Sequence, residues 1–323
     1  MKKPAGALKA RFGLEHRLWE RLKKDGLRGR GFLLACSGGA DSVALVRAFA
    51  AVQAKKNLRV AHLHHGPGGA GAFRDEARQF VRDLARDLDL AFVEAHHGGE
   101  ILRGEAACRD FRRQWLERWR EEFAMDAVVT AHHAEDLLET RLIRLVRGTG
   151  PGGLRAIPVW RAPWYRPFLG FSPDELRGYL EKINQSWCED PSNQDPRFLR
   201  NWLRQNWLPA LEAYRPGSKG ALGRSLEDVA ASVPKISLPV RSASRSWAVR
   251  RAEWETWSPG ERLQQLAVGL RHAGVANFTR GQLEEIHRRL DKNQKDYSFQ
   301  LAGCVWTVGA EQIQARLVVA PLK

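Results

Sequence analysis

Residues 31–42 read GFLLACSGGADS, and the rest of the chain can be interpreted outward from them. The apolar run Phe32–Ala35 predicts a buried strand, Ser37–Gly39 predicts a tight turn, and an apolar helix opens near Asp41. This order binds phosphate, because glycines allow close backbone approach and a helix N-terminus directs N–H groups and partial positive charge at one point. Serine hydroxyls in the stretch can add hydrogen bonds to the same oxygens.

The loop differs from the Walker form, because no Gly-Lys-Ser/Thr closes it. Ser-Gly-Gly-x-Asp-Ser instead resembles the signature of the PP-loop ATP pyrophosphatases. The resemblance implies that ATP is cleaved between its α- and β-phosphates, so that a substrate is adenylated and pyrophosphate leaves. It assigns ATP binding to six consecutive residues, of which Asp41 is also a ligand for Mg²⁺: Ser37, Gly38, Gly39, Ala40, Asp41 and Ser42.

Composition indicates a two-domain protein with a polyanionic partner. The chain has 323 residues, of which 43% are hydrophobic, and a net charge of +15. Both halves are basic, with 35 Lys and Arg against 27 Asp and Glu up to Tyr214 and 17 against 10 beyond it, which favours nucleic acid as partner. The four cysteines lie far apart in the sequence, and this spacing argues against a zinc ribbon or an iron–sulfur cluster. Without a membrane span or secretory signal, we expect a cytoplasmic protein.

Strands and helices alternate after the loop. Such alternation predicts an α/β fold with a parallel, Rossmann-like sheet, whose ligands bind beyond the carboxyl ends of its strands. The predicted strands are Leu58–Leu63, Ala91–Ala95 and Ala127–Ala131, and the predicted helices are Ala77–Leu90, Glu105–Phe123 and Glu135–Val146. Three segments should then meet in one crevice, namely Ser37–Ser42, His62–Gly71 and Thr130–Asp136. We interpret the second as a glycine-rich active-site loop rather than a metal site, because His64 and His65 point opposite ways on an extended chain.

The second half predicts a small α+β domain. Arg215–Gly220 is interpreted as a linker, so the domains are 1–215, which binds ATP, and 216–323. The predicted elements beyond the linker are the helices Glu261–His272 and Thr279–Leu290 and the strands Tyr297–Leu301, Cys304–Val308 and Ile313–Val319. The tryptophans of this half are interpreted as core or docking residues, with base stacking as the alternative.

A stretch of histidines and carboxylates narrows the function. Residues 132–140 read HHAEDLLET, and Asp136 and Glu139 share one helix face that is aimed at the crevice. Carboxylates in a first helical turn can simply complement the helix dipole. Here, however, they follow two histidines and lie opposite a phosphate loop.

Further motifs follow in a fixed order. They are RGTGPGGL at 147–154, RPFL at 166–169, a helix over Pro173–Ile183 with Ser172 as its N-cap, DPSN at 190–193, and RFLRN at 197–201 before an apolar helix that stops near Pro209. With the phosphate loop and the histidine stretch, they resemble the tRNA(Ile)-lysidine synthetase family over residues 30–210. The chain departs from the family pattern at four places. It has Glu135 where the family has aspartate, Leu137 where glutamine is common, Pro67-Gly68 where Leu-Arg is frequent, and Arg113 where tyrosine is frequent.

The resemblance implies a ligase that joins L-lysine to the wobble cytidine of a tRNA(Ile) with a CAU anticodon. Cytidine is adenylated by ATP, pyrophosphate leaves, and the lysine ε-amine then displaces AMP. The implied catalytic residues are Asp41, Asp136, Glu139 and Arg200. Lysine is held by Asp136, Glu139 and His133, and the implied tRNA contacts are Arg109, Arg112 and Arg200, while Asp190 and Asn193 support their loop. The C-terminal domain, 216–323, binds tRNA. The oligomeric state stays open, with a homodimer among the alternatives.

Three other interpretations explain less of the sequence. A PP-loop tRNA thiolase generally uses paired cysteines or a cluster, and the sequence shows neither. A non-catalytic nucleic-acid-binding module would explain the charge but leave the phosphate loop and the carboxylates without a role. An amide-forming ligase for a small acid would explain the loop but leave the basic character of both halves unexplained.

Overall fold

The computed structural model describes residues 12–64, 71–97, 104–189, 199–232, 246–275, 278–291 and 296–318, with 71–72 and 104–106 described by their backbone alone. Contacts divide the chain into two compact units. One consists of Met1–Thr140 with Ile157–Gly220, and the other of Arg141–Ala156 with Ala221–Lys323. The predicted division at residue 215 stays a prediction. Within the described residues, no helix has the length and apolar character needed to cross a membrane.

The first unit contains a six-stranded, mostly parallel sheet. Its elements are α1 (Gly13–Lys24), β1 (Phe32–Ala35), α2 (Ala40–Val52), β2 (Leu58–His64), α3 (Gly71–Asp87), β3 (Ala91–His96), α4 (Gly104–Glu122), β4 (Ala127–Val129), the first half of α5 (Ala134–Val146), β5 (Trp160–Arg161), β6 (Trp164–Tyr165) and α6 (Pro173–Lys182). The predicted α/β class is confirmed. β5 and β6, which the sequence analysis missed, form a short antiparallel hairpin at one edge of the sheet, with two residues in each strand.

Strand order positions the site. The sheet runs β3-β2-β1-β4-β6-β5, so the chain moves outward from β1 to β3 and then returns to place β4 on the other side of β1. β1 pairs in parallel with both neighbours, Phe32 opposite Leu58 on β2 and opposite Ala127 on β4. Open sheets bind ligands where the strand order reverses. The segments that follow β1 and β4 therefore lie side by side at the carboxyl edge.

The sheet is buried on both faces, as parallel sheets are. Phe32 and Leu34 of β1 join one apolar cluster with α2, and Leu33 between them joins another with Leu116 and Trp119 of α4. This alternation follows from the two-residue period of a strand. It anchors β1 firmly beneath the Ser37–Ser42 loop.

Residues 199–214 form one helical segment in three parts. α7 (Leu199–Trp202) leads into a π-helical turn (Leu203–Trp207) and then into α8 (Leu208–Tyr214). The predicted stop near Pro209 is therefore wrong. Proline is tolerated in the first turn of α8, and the wider π turn before it leaves room for its ring.

The linker is shorter than predicted. Helix α9 (Ser218–Ala231) begins inside the proposed 215–220 segment. The Glu212 carboxylate accepts hydrogen bonds from the N–H groups of Gly217, at 2.6 Å, and Lys219, at 2.9 Å. Glu212 thus satisfies amide groups at the start of the helix, which the sequence analysis did not consider.

The second unit packs helices on an antiparallel sheet. Its remaining elements are β7 (Ser246–Arg250), α10 (Arg251–Thr256), α11 (Pro259–His272), α12 (Arg280–Leu290), β8 (Tyr297–Leu301), β9 (Cys304–Val308) and β10 (Gln312–Leu317), with sheet order β7-β10-β9-β8. Thr279 and Gln282 form the capping box of α12. Trp254 and Trp306 are buried in the core of this unit, so the core interpretation of these two tryptophans is confirmed.

Candidate active site

The Ser37–Ser42 loop is a tight turn between β1 and α2. Gly38 has φ +95°, which favours glycine, and an added Cβ would lie 3.4 Å from Cβ of Ala77. The Ser42 hydroxyl accepts from the Ser37 N–H at 3.2 Å and donates to the Gly39 carbonyl at 2.9 Å. The Ser42 proton that was expected to reach a phosphate is used here to shape the loop.

Amide groups at the start of α2 are suited to binding an anion. Gly39 is the N-cap of α2 and supplies no side-chain hydrogen bond to the first turn. The early N–H groups of a helix need partners from elsewhere, and the helix dipole makes an anion the favourable one. The loop can therefore hold the phosphates of a nucleotide.

Two histidines of β2 are buried and make contacts within the fold. His62, on β2, is buried, and its Nδ1 lies 2.9 Å from the Cys36 carbonyl oxygen. Burial lowers the pKa of His62, so the neutral ring donates this hydrogen bond and fixes the end of β1. His64 is also buried, and its ring stacks on that of His96 with centroids 4.3 Å apart. His65 and Pro67-Gly68 lie outside the described residues.

His133 joins the loop to α5. This buried side chain places its Nε2 3.6 Å from Asp41 Oδ2 and 3.5 Å from Asp136 Oδ2. Asp136 also accepts the backbone N–H of His133 at 3.1 Å. The structure therefore brings together three of the predicted site residues, one from the segment after β1 and two from the segment after β4.

Two arginines of the 199–207 segment reach the carboxylates of α5. Arg204 donates from Nε to Glu139 Oε1 at 2.7 Å and from Nη2 to Glu139 Oε2 at 3.0 Å and Asp136 Oδ1 at 3.2 Å. Arg200 lies 3.3 Å from Glu139 Oε2 through Nε and donates to Thr140 Oγ1 at 2.8 Å. Such bidentate pairs fix carboxylate orientation as well as charge.

Arg204 is the site residue that sequence reasoning missed. It follows Arg200 by one helical turn, so the two can share a face and a partner. That spacing was available in the sequence. It carried no information, however, until Arg200 was known to face Glu139.

The pKa values of the three carboxylates shift in different directions. Glu139 is 0% exposed, and burial raises its pKa even though Arg204 opposes the shift. Burial also raises the pKa of Asp41, against the effect of His133. For Asp136 burial acts in the same direction, but His133, His132 and Arg204 outweigh it and lower the pKa. Burial lowers the pKa of His132 to about 4, which keeps that ring neutral near pH 7.

The other predicted site residues lie on α4 or outside the described residues. Arg109 and Arg112 are exposed on α4, and the positive charge of Arg112 contributes to the lowered pKa of His132, which places it near the cluster. Asp190 and Asn193 lie outside the described residues. The partner of Glu135, which departs from the family pattern, is Lys219, whose Nζ lies 2.9 Å from its carboxylate.

A magnesium ion fits this edge as a phosphate-bound ion. Among the described residues, no group of three or more His, Cys, Asp or Glu side chains could hold a metal by itself. Mg²⁺ usually takes one or two carboxylates together with phosphate oxygens and waters. The partly buried Asp41 carboxylate, beside the phosphate cradle, is a donor of the required kind.

Comparisons with known proteins agree with this arrangement. Residues 14–211 match the PP-loop domain family ATP_bind_3. The chain is 40% identical over 312 residues to the tRNA(Ile)-lysidine synthase of Bdellovibrio bacteriovorus, covering 95% of this chain and 98% of that relative. It is 35% identical over 272 residues to the tRNA(Ile)-lysidine synthase of Porphyromonas gingivalis, covering 80% of this chain and 58% of that relative.

The fold has a solved counterpart. The U34-tRNA thiolase NcsA from Methanococcus maripaludis aligns with a TM-score of 0.55 at 17% identity, covering 68% of this chain and 78% of that chain. That likeness concerns the fold alone. The phosphate loop, the sheet order and the domain match define a PP-loop nucleotide-binding protein that uses ATP. Within that class, the chain belongs to the tRNA(Ile)-lysidine synthase family.

Proposed function

We propose that this protein joins L-lysine to the wobble cytidine of a tRNA(Ile) with a CAU anticodon, with conversion of ATP to AMP and pyrophosphate. The observation that carries the proposal is the juxtaposition of Asp41 in the phosphate loop with Asp136 through His133, beside Glu139. An anion cradle and a carboxylate cluster at one sheet edge suit a reaction between a nucleotide and a cationic amine.

The loop serves the first half-reaction. Oxygen 2 of cytosine attacks the α-phosphate, the bond to the β-phosphate breaks, and pyrophosphate departs with its charge. Amide donors of the loop and the dipole of α2 stabilise that charge. Mg²⁺ held by Asp41 and the phosphate oxygens would neutralise further charge when bound.

The carboxylate cluster serves the second half-reaction. The cluster contains three carboxylates. Asp136 and Glu139 make direct ion pairs with the guanidinium groups of Arg200 and Arg204, whereas Asp41 lies beside His133. By formal charge the three carboxylates exceed the two guanidinium groups by one negative charge, which the ε-ammonium of lysine can balance. Asp136 has a lowered pKa and stays ionised to hold that ammonium.

The ε-amine must lose a proton before its nitrogen attacks carbon 2 of the adenylated cytosine and AMP leaves. Burial raises the pKa of Glu139, which makes it more basic than Asp136 and the better proton acceptor. His133 orients Asp136 through the backbone and the ring, and Arg200 balances charge near the reacting nucleotide.

Exposed arginines on α4 and the basic second half serve tRNA binding. Arg109 and Arg112 lie on the exposed side of α4, and residues 216–323 carry an excess of Lys and Arg. Contacts of this kind position tRNA through its phosphates, whereas the cytosine must be unstacked to react. We place the protein in the cytoplasm with its tRNA substrate.

Incubation of the full chain with ATP, radiolabelled lysine and tRNA transcripts tests the proposal. Label should enter a transcript with a CAU anticodon and not one with UAU. A tRNA thiolase would leave lysine unincorporated and require a sulfur donor. The sequence identity of 40% to a lysidine synthase over nearly the whole chain favours the ligase.

A further inference from the structure

Three exposed apolar side chains lie on the helical segment whose arginines contact the carboxylate cluster. Leu199, Trp202 and Trp207 are 38%, 44% and 37% exposed, and all lie on the helical segment that carries Arg200 and Arg204. Exposed indoles are costly to keep in water, and clustered ones mark an interaction surface. None of these three residues has a role in the site described above.

The two indoles differ from the chain's buried tryptophans. Trp119, Trp254 and Trp306 are buried at 3%, 2% and 0% exposure in the apolar clusters. Within the residues that the structure describes, neither Trp202 nor Trp207 has an aromatic or cation–π partner. More than a third of each side chain is exposed, so part of each indole is accessible to a ligand.

Placement on the helix limits what Trp202 can reach. At about 100° per residue, Trp202 leaves the helix roughly 200° around from Arg200, which faces Glu139. The helix with its side chains is about 10–12 Å thick. Trp202 is therefore too far round the helix to touch a cytosine that reacts with the lysine held at Asp136 and Glu139, but it can meet a nucleotide next to that cytosine.

The chemistry of the segment favours RNA as the occupant. No Asp or Glu occurs from Leu199 to Leu211, so nothing within it repels phosphates, and the whole chain has a net charge of +15. Once the wobble cytidine is unstacked, its neighbours in the anticodon loop lose a stacking partner. An aromatic ring replaces such a partner whatever the base, because every base has a π face.

Resting on the proposed function, we propose that Trp202 is a stacking platform for an unpaired base adjacent to the wobble cytidine, with Trp207 as a flanking apolar contact. It determines how the anticodon loop is presented to the site. It takes no part in ATP cleavage or lysine binding.

The test measures the affinity of fluorescein-labelled tRNA for the full chain and its variants. Trp202→Ala should weaken binding roughly 5- to 150-fold, the range for loss of one stacked base. Trp202→Phe should retain most of the affinity, because a ring remains. Trp160→Ala is the matched control, since Trp160 is also 44% exposed but lies on β5, and its affinity should equal that of the unaltered protein.

Transcripts with an abasic residue on either side of the wobble cytidine identify the base. One of the two abasic transcripts should bind the unaltered protein more weakly, by the factor seen for Trp202→Ala. The Trp202→Ala variant should bind that abasic transcript and the intact transcript with the same affinity. KM for ATP and for lysine should not change in any variant, and thermal unfolding of each variant checks the fold.

The proposal is overturned if Trp202→Ala binds tRNA like the unaltered protein, if Trp160→Ala loses as much, or if the losses from the variant and the abasic transcript multiply. Lysine incorporation by the unaltered protein is scored separately. If lysine is incorporated but the tRNA-binding results contradict the proposal, the stacking role alone is rejected. If lysine is not incorporated, the proposed function is rejected.

Discussion

Removal of Arg204 is the most informative perturbation of the candidate site. Arg204→Ala deletes three charge-assisted hydrogen bonds, two to Glu139 at 2.7 and 3.0 Å and one to Asp136 at 3.2 Å. Glu139 is fully buried in the intact protein, and Arg204 is the donor of both hydrogen bonds to its carboxylate. Arg200 stays 3.3 Å from Glu139 and compensates for part of the charge.

The expected magnitude follows from these contacts. A hydrogen bond to a charged group contributes about 1.5–3 kcal/mol, and removal of one partner of a buried pair costs up to about 5 kcal/mol. Because Arg200 remains and Arg204 is partly exposed, we expect a loss of about 2–3 kcal/mol, or roughly 30- to 150-fold in the rate of lysine transfer. Formation of adenylated tRNA should change much less, since the hydrogen bonds of Arg204 go to Glu139 and Asp136 and it acts on Asp41 of the phosphate loop through its charge alone.

The variant should also change the pH dependence. Glu139 already has a raised pKa because of its burial, and Arg204 is the main group that opposes the rise. Without Arg204 the pKa of Glu139 should rise further, so the carboxylate ionises only at higher pH. The acid limb of the lysine-transfer profile should therefore move to higher pH, with activity lost as pH falls through that limb.

The assay is single-turnover conversion of adenylated tRNA to the lysine product, measured at several pH values. Arg204→Lys should rescue only in part, because an ammonium cannot bridge both carboxylates as a fork. Arg21→Ala is the control, since Arg21 is also 36% exposed and pairs with Asp25 at 2.8 Å far from the site in sequence. The reasoning is refuted if Arg204→Ala transfers lysine normally, or if adenylation falls by the same factor.

Three further predictions test other parts of the account. Asp41→Ala or Ser37→Ala should abolish turnover in a folded protein, and the unaltered protein should release AMP and pyrophosphate without ADP, as nucleotide chromatography can show. Replacement of all four cysteines with serine should leave lysine incorporation measurable, because Cys36, buried with a pKa raised by burial to about 11, is unsuited to thiolate chemistry. The tRNA affinity should fall with salt, with a log–log slope of roughly −0.7 to −0.9 per phosphate neutralised, and a transcript with a wobble uridine should bind nearly as well but accept no lysine.

Local pattern was sufficient to predict most of the elements. The bounds of β1, β8 and β9 agree with the structure residue for residue, because each is an apolar or alternating run closed by turn residues. β7 was missed because it has only Trp247 and Val249 as strong strand formers between polar residues, and its position depends on pairing with β10. Pairing between distant segments cannot be derived from composition.

The candidate site shows the same difference between what local pattern predicts and what depends on contacts between distant segments. Parallel topology predicted that Asp41 and Asp136 would meet, and the structure brings both within 4 Å of His133. Their chemical roles stay predictions. Arg204 could not be placed from the sequence, because its partners come from α5, more than sixty residues earlier, and ion pairing across that separation depends on how the 199–207 segment packs.

The central claim is that Asp136 and Glu139 handle the lysine while the phosphate loop carries out adenylation. Mass spectrometry of the wobble nucleoside, after reaction of tRNA with ATP and lysine, tests it directly in the unaltered protein and in an Asp136→Asn, Glu139→Gln double variant. The account predicts lysidine from the unaltered protein, and from the double variant pyrophosphate release with adenylated tRNA but no lysidine. Lysidine formed by the double variant at the normal rate, or none formed by the unaltered protein, would contradict it.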